Sequence, residues 1–304
     1  MSDPEIIDLA DGEQVTENGV YRVHIDRYHN DPDLCDGPSI SSTGLRAIMN
    51  CPVKYWATSI YNPNRRESPK KQHFTIGKAA HAMILEGELP ADQFVASPYD
   101  AFRTNEAKAW RDDQLASGLE ILKEGDLAAI GDMHRALAAD PMIKAGLFEG
   151  LVECSLIWKD EKTGIWLRSR PDVIPNDDTL ADAKFVADSS VRAICRDIGE
   201  YRYNMQFALG VEGMRAVLGR KIENCAIVAC EKSYPHVVTV AAIDDIAMDW
   251  GARLNRVAID QFAERMKTMD WPGYEPGAVS VGLPAYEVKR LEAMGAIIPE
   301  LEPA

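Results

Sequence analysis

Three β-rich runs, LVECSLIW, GIWLRSRPDVI and TLADAKFV, follow one another between residues 151 and 186, with only KDEKTG and PNDD between them. Short runs of branched and aromatic residues bounded by Gly, Asn, Asp and Lys have the pattern of strands joined by tight turns. The middle of the chain is therefore expected to form a three-stranded meander. On its N-terminal side, SISSTGLRAIMNCPVKYWATSI sets a serine/threonine cap before an apolar three-four spacing, so a helix should begin near Ser42 or Thr43. Pro52 should end or restart it. FTIGKAAHAMILEG predicts a helix of small residues closed by Gly87, and NEAKAWRDDQLASGLEIL and GDLAAIGDMHRALAAD predict two more. After the meander come a helical stretch, RYNMQFALGVEGMRAVLG, two strands at ENCAIVACEK and HVVTVAAI, and a long helix ending before WPGYEPG. This order predicts an α/β core, a mixed sheet with flanking helices, plus a helical N-terminal elaboration. Residues 1–38 read as an acidic, irregular lead-in with a short strand at GVYRVHI, residues 39–274 as the main domain, and 275–304 as a proline-punctuated tail.

Composition narrows the function classes. A chain of 304 residues can bury a large core. No apolar run approaches the ~20 residues that span a bilayer. The acidic start, MSDPEIIDLADGEQ, lacks the layout of a signal peptide, so a cytoplasmic location is expected. The six cysteines form no C-x-x-C and are expected to be reduced, structural thiols. There is no G-x-x-x-x-G-K-[ST], so nothing points to an ATP motor. The net charge of −15 argues against indiscriminate binding to a polyanion, but leaves room for a local basic groove. Two basic groups are candidates for it: Arg65, Arg66, Lys70 and Lys71, then Arg192, Arg196, Arg202, Arg215, Arg220 and Lys221.

The chemistry is sought in Asp182-x-Lys184. The triplet alone is unspecific, because it recurs at Glu106–Lys108, Asp160–Lys162 and Glu287–Lys289. Only the copy at 182–184 has a Pro-Asp, ending in Asp172, at this distance on a preceding strand. Asp182 and Lys184 lie two apart on a strand, hence on one face. Adjacent strands lie about 4.8 Å apart, so Asp172 can meet Asp182 around one cation. Glu153, on the strand before, comes within reach if the meander has the expected order. Carboxylates and a lysine converging in this way suit Mg²⁺, a hard ion that takes oxygen ligands and keeps several waters. The competing reading is a surface hairpin decorated with charges. Gly77 and His81 share a helix face, and the glycine would let that helix approach a strand closely. His24, His29, His73, His134 and His236 show no partner pattern. Arg168 and Arg170 share a face with Asp172, as phosphate contacts or as members of a salt-bridged surface.

Taken together, G-x-x-x-H, a Glu, Pro-Asp, Asp-x-Lys and then Tyr-x-x-Gln follow the motif order of PD-(D/E)xK nucleases of the RecB type. From about Ser39 to about Tyr274 the chain resembles most closely the C-terminal nuclease domain of exodeoxyribonuclease VIII, found in phage and prophage recombination. The resemblance implies a restriction-endonuclease-like core and 5′→3′ digestion of double-stranded DNA ends with Mg²⁺, Mn²⁺ being the substitute ion. The product is a 3′ single strand passed to an annealing protein. It also implies His81, Asp172 and Asp182 at the metal, Lys184 as the catalytic lysine, Glu153 as a further acid and Gln206 as a residue that shapes the site. Such nucleases often carry a tyrosine four residues after the glutamine. Here that position is Gly210, and Tyr203, one turn earlier, is the candidate replacement. Relatives close into rings around DNA, which implies a cyclic homo-oligomer, a tetramer by resemblance, with the basic groups at its pore. The rival readings are a structure-selective endonuclease or repair nuclease of the same fold, and a non-catalytic DNA-processing accessory protein.

Overall fold

The computed structural model describes residues 4–66, 72–274 and 277–295. The chain opens with strands β1 (Ile6–Asp8) and β2 (Gly19–Arg22) and helix α1 (Ile25–Asn30). Strand β3 (Ser39–Ser41) runs directly into α2 (Ser42–Asn50), where the Ser41 side chain caps the helix by accepting from the Gly44 N–H. The extended Cys51 breaks the helix, and Pro52 restarts it as α3 (Pro52–Thr58), with proline in the first turn where no N–H is needed. Then follow α4 (Gln72–Leu85), β4 (Phe94–Ala96), α5 (Asn105–Ala116), β5 (Glu120–Leu122), α6 (Glu124–Ala139) and α7 (Pro141–Lys144). The helix read through LEIL stops earlier, because Gly118 turns into the left-handed region and the residues after it pair in parallel with β4.

The three β-rich runs become five strands: β6 (Gly150–Val152), β7 (Ser155–Lys159), β8 (Trp166–Ser169), β9 (Val173–Pro175) and β10 (Thr179–Val186). The first run breaks at Glu153, which has a φ of 61°, and the second at Arg170–Asp172. Strand β7 pairs antiparallel with β8, and β6 with β9, as the meander predicts. The third strand departs from it. After helices α8 (Val191–Tyr201) and α9 (Tyr203–Leu218) comes β11 (Asn224–Glu231), and β10 pairs with it in parallel, from Thr179↔Asn224 to Val186↔Glu231. β11 reads CAIVAC through its centre and is buried there, as suits a parallel strand covered on both faces. β12 (Val238–Ala242) closes this sheet antiparallel to β11, and α10 (Asp245–Thr268) and α11 (Ala285–Ala293) follow.

Two sheets thus organise the molecule, one ordered β1-β2-β7-β8-β3 and the other β10-β11-β12. The largest core lies under α2, α9 and α10 and includes Leu156, Trp158, Leu167, Phe207 and Phe262. A second core joins Ala79, Ala80, Met133 and Leu137, from α4 and α6, to Val228 and Cys230 of β11. The lead-in is not irregular. Its Val15, Tyr21, Tyr28 and Leu34 pack with Ile157 and Trp166, and β2 pairs with β7, so its acids stand outside a small core of its own. All six cysteines are free, and all but Cys195 are buried. Among the described residues, no helix is long and apolar enough to cross a membrane.

Candidate active site

The edge of β10 that is not paired with β11 creates the site. There the Ala183 N–H, which a ladder partner would otherwise take, donates to Asp172 Oδ2 at 2.7 Å. Asp172 follows Pro171 in the break between β8 and β9, and this one bond draws its carboxylate beside β10. Asp182 and Lys184 flank Ala183 on the same face, and the Lys184 ammonium touches Asp182 Oδ2. From α4, His81 Nε2 lies 2.9 Å from Asp172 Oδ2. From α9, Gln206 Nε2 donates to Asp182 Oδ1 at 2.6 Å, and its Oε1 accepts from Lys184 Nζ at 3.3 Å. The Lys184 ammonium also lies over the Tyr203 ring, 4.9 Å from its centre.

Burial sets the electrostatics. Asp182 is only 4% exposed. Burial first, and then the neighbouring Asp172 charge, push its carboxyl above the ordinary range, against the pull of Lys184. Burial also works to raise Asp172, but His81, Lys184 and the Ala183 N–H together hold it below the ordinary range. For His81, burial disfavours the charged ring, yet Asp172 prevails and the imidazole lies above its usual value. Burial, followed by Asp197 and Asp182, pushes the Tyr203 phenol up to about 12. Two neighbouring carboxylates, one of them raised above its ordinary pKa by burial first and then by the other, form a site that calls for a cation.

The donor set fits a hard divalent ion. Among the described residues, Asp182 Oδ2 is shut off from solvent without a hydrogen-bond partner, and it is ion-paired with the Lys184 ammonium. Among the described residues, no three His, Cys, Asp or Glu side chains already stand as a ready-made metal cluster. The carboxylates and His81 are instead engaged with one another, with Lys184 and with Gln206.

Other expected residues fall differently. Glu153 lies at the left-handed break before β7, half exposed and paired with Arg170, not on a regular strand. Arg170 also donates to the Val23 carbonyl at 2.9 Å. Arg168 is 4% exposed, donates to the Tyr28 carbonyl and lies 5.0 Å from the centre of that ring; its burial overturns a role in contacting phosphates. Arg196 pairs with Asp197 at 2.9 Å and Arg202 donates to Asn50 at 3.1 Å. Arg65, Arg66 and Arg192 join these two outside the walls of the cleft described next. Lys70 and Lys71 lie outside the described residues. Among the described residues, a Cβ at Gly77 would meet nothing within 4 Å, so this glycine serves no close approach to them. The buried Ala79 and Ala80 let α4 settle instead. Gly210 lies against β10 and lines the cleft described next: a Cβ there would come 2.8 Å from Leu180 Cδ2, so a larger side chain requires that leucine to shift.

His81, Asp172, Asp182, Gln206, Glu153 and Arg170 line one cleft of about 270 Å³. The sequence reading passed over two of its walls. One is α1 with Tyr28 and His29, which had no periodic signal. Burial, then Arg168 and Arg170, hold the His29 pKa below its usual value. The other is the start of α2, with Ser42, Thr43 and Arg46. The serine–arginine spacing of four was the available signal there.

The model of a family described as a PDDEXK-like domain of unknown function (DUF3799) matches residues 41–279. The chain belongs to this family. A proposed exonuclease from Eubacterium rectale is similar in structure to this PDDEXK-like protein, with a TM-score of 0.57 and 12% identity, over 82% of this chain and 92% of its own. That likeness is one of fold. An alkaline exonuclease from Laribacter hongkongensis reaches a TM-score of only 0.23, at 13% identity over 63% of this chain and 91% of its own, too low to carry an argument. No curated protein matches the sequence significantly. Family and fold give the protein a PD-(D/E)xK-like core.

Proposed function

We propose that the protein is a Mg²⁺-dependent exonuclease that digests duplex DNA from its ends, 5′→3′, and leaves 3′ single strands. One observation carries the reading: Asp172 and Asp182 line one cleft with Gln206, and the Lys184 ammonium contacts both Asp182 and Gln206. Asp172 and Asp182, with His81, would hold the ion. A divalent ion bound there lowers the pKa of a water and stabilises charge on a phosphoryl oxygen. Gln206 fixes the Asp182 carboxylate with its amide N–H and the Lys184 ammonium with its carbonyl, so neither turns away. Lys184 places a positive charge where the attacked phosphate gains negative charge. The Tyr203 ring supports that ammonium without competing for its N–H donors.

The 5′→3′ polarity, the preference for ends and the annealing partner rest on the sequence resemblance to the exodeoxyribonuclease VIII type. So do a ring-shaped homo-oligomer and action in the cytoplasm of a bacterial or phage-infected cell. The test is digestion of linear and covalently closed circular duplex labelled at either end, with Mg²⁺, Mn²⁺ or EDTA. Nucleotide release from linear DNA alone, beginning at 5′ ends and abolished by EDTA, is expected. Cutting of the closed circle would favour a structure-selective endonuclease. Absence of cleavage under every metal condition would favour an accessory protein.

A further inference from the structure

Among the described residues, the wall of the cleft built by α2 holds hydrogen-bond donors that have no acceptor. An arginine carries five N–H groups. Arg46 Nη1 donates to the Tyr201 carbonyl at 3.1 Å and Nη2 to Thr43 Oγ1 at 3.3 Å, while Nε is closed off from solvent and unpartnered. Ser42 Oγ, four residues earlier, is also buried without a partner. That spacing puts both side chains on one helix face, and both line the cleft with Asp182 and Gln206. Buried donors left unpaired are costly, and those of a cation more so. Among the described residues, Arg46 makes no ion pair with a carboxylate. Asp182 reaches it only through its field, which opposes the lowering effect of burial.

A guanidinium fork and a free hydroxyl on one face match the oxygens of a phosphate group. We propose that Arg46 and Ser42 form a phosphate subsite that binds the substrate strand beside the point of cleavage. Lys184 touches Asp182, whereas Arg46 contacts neither site carboxylate. Arg46 therefore addresses the phosphate flanking the one being cleaved. The cleft, at about 270 Å³, is smaller than the ~300 Å³ at which small-molecule pockets begin, so it seats a short length of backbone. The ligand is a phosphate of the nucleic acid, either an internal diester or a terminal monoester. This inference rests on the nuclease reading above.

The experiment measures binding of a short duplex in EDTA, across a range of salt, for wild type, Arg46→Gln, Arg46→Lys and Ser42→Ala. Arg46→Gln should weaken binding ~10-fold and reduce the log–log salt slope by about 0.9. Arg46→Lys should keep the slope but recover only part of the affinity, because an ammonium lacks the fork. Ser42→Ala should weaken binding while leaving the thermal midpoint in place, since its hydroxyl has no partner in the protein to lose. Each variant is tested on ends bearing a 5′-phosphate or a 5′-hydroxyl. Equal losses on both assign the subsite to an internal phosphate, and losses confined to the phosphorylated end assign it to the terminal one. Wild-type affinity and slope in folded Arg46→Gln would overturn the subsite. If that variant does not fold, wild-type binding by both Arg46→Lys and Ser42→Ala would overturn it. Absence of cleavage by the wild type under every metal condition would instead defeat the nuclease reading, so the two failures are distinguishable.

Discussion

Asp182 and Lys184 belong to the one of the four Asp/Glu-x-Lys triplets that lies beside the carboxylate of a Pro-Asp, that of Asp172, and the other copies show what such triplets otherwise do. Asp160 and Lys162 both reach α10, through Arg256 and Asp260, and Glu287 pairs with Arg290 within α11. Asp182→Asn should reduce cleavage by orders of magnitude while the thermal midpoint in EDTA holds or rises, because a repelling buried charge is removed. Cleavage near the wild-type rate by both Asp172→Asn and Asp182→Asn would show that the site lies elsewhere. Lys184→Ala should lower kcat ~100-fold with little change in KM, since its charge acts where the transition state develops charge. A matched loss of binding would make it a phosphate clamp. Gln206→Ala should cost about 10–100-fold in activity, the usual effect of removing a group that orients a metal ligand.

At the scale of elements, the site depends on how closely α9 approaches its neighbours. Gly251 of α10 lies against α9, where a Cβ would come within 2.3 Å of the Asn204 carbonyl oxygen, two residues before Gln206. Gly251→Ala should cost about 1–3 kcal/mol and displace α9, so melting point and activity should fall together. Gly77→Ala is the contrast. With open space around it in α4, it should stabilise by about 0.5–1 kcal/mol. If Gly77→Ala destabilised more than Gly251→Ala, the packing account of both helices would be wrong.

The β7–β8 turn is tied to α10 by a bidentate pair, Arg256 to Asp160 at 2.7 and 3.2 Å. Burial would raise Asp160, but its bonds from Arg256 and Thr163 hold it below the ordinary carboxylate range. A depressed acid contributes stability that is present above its unfolded pKa of ~3.9 and is lost as pH falls through its folded value. Arg256→Gln should therefore melt below wild type at pH 7, with the gap closing below about pH 4. Parallel melting curves at every pH would remove the pair from the account of stability.

For the molecule as a whole, the proposed function raises the question of how a chain of net charge −15 would hold a polyanion through repeated cleavage. A ring turns rebinding into an intramolecular event without new contacts. Light scattering at micromolar concentration, with and without duplex DNA, is expected to give a cyclic oligomer. A monomer in both conditions that still digests long duplex without dissociating would rule out the ring.

The elements and the PD-(D/E)xK motif order were legible along the chain because they are local. The Ser41 cap, the restart at Pro52, the three β-rich runs and the Pro-Asp to Asp-x-Lys spacing each depend on residues near one another. Partnership is not local. Nothing in TLADAKFV distinguishes pairing with β8 from parallel pairing with β11 across two intervening helices, because the burial of β11 makes that choice. The open edge this leaves lets Asp172 bond Ala183. The lead-in was misread because its apolar residues are too widely spaced to show a period, and they become a core only against Ile157 and Trp166. Arg168 read as a surface cation until α1 covered it. Residue types and short spacings determined what chemistry this protein can carry. Long-range packing decided which charges are buried together, because burial depends on segments far apart in the chain.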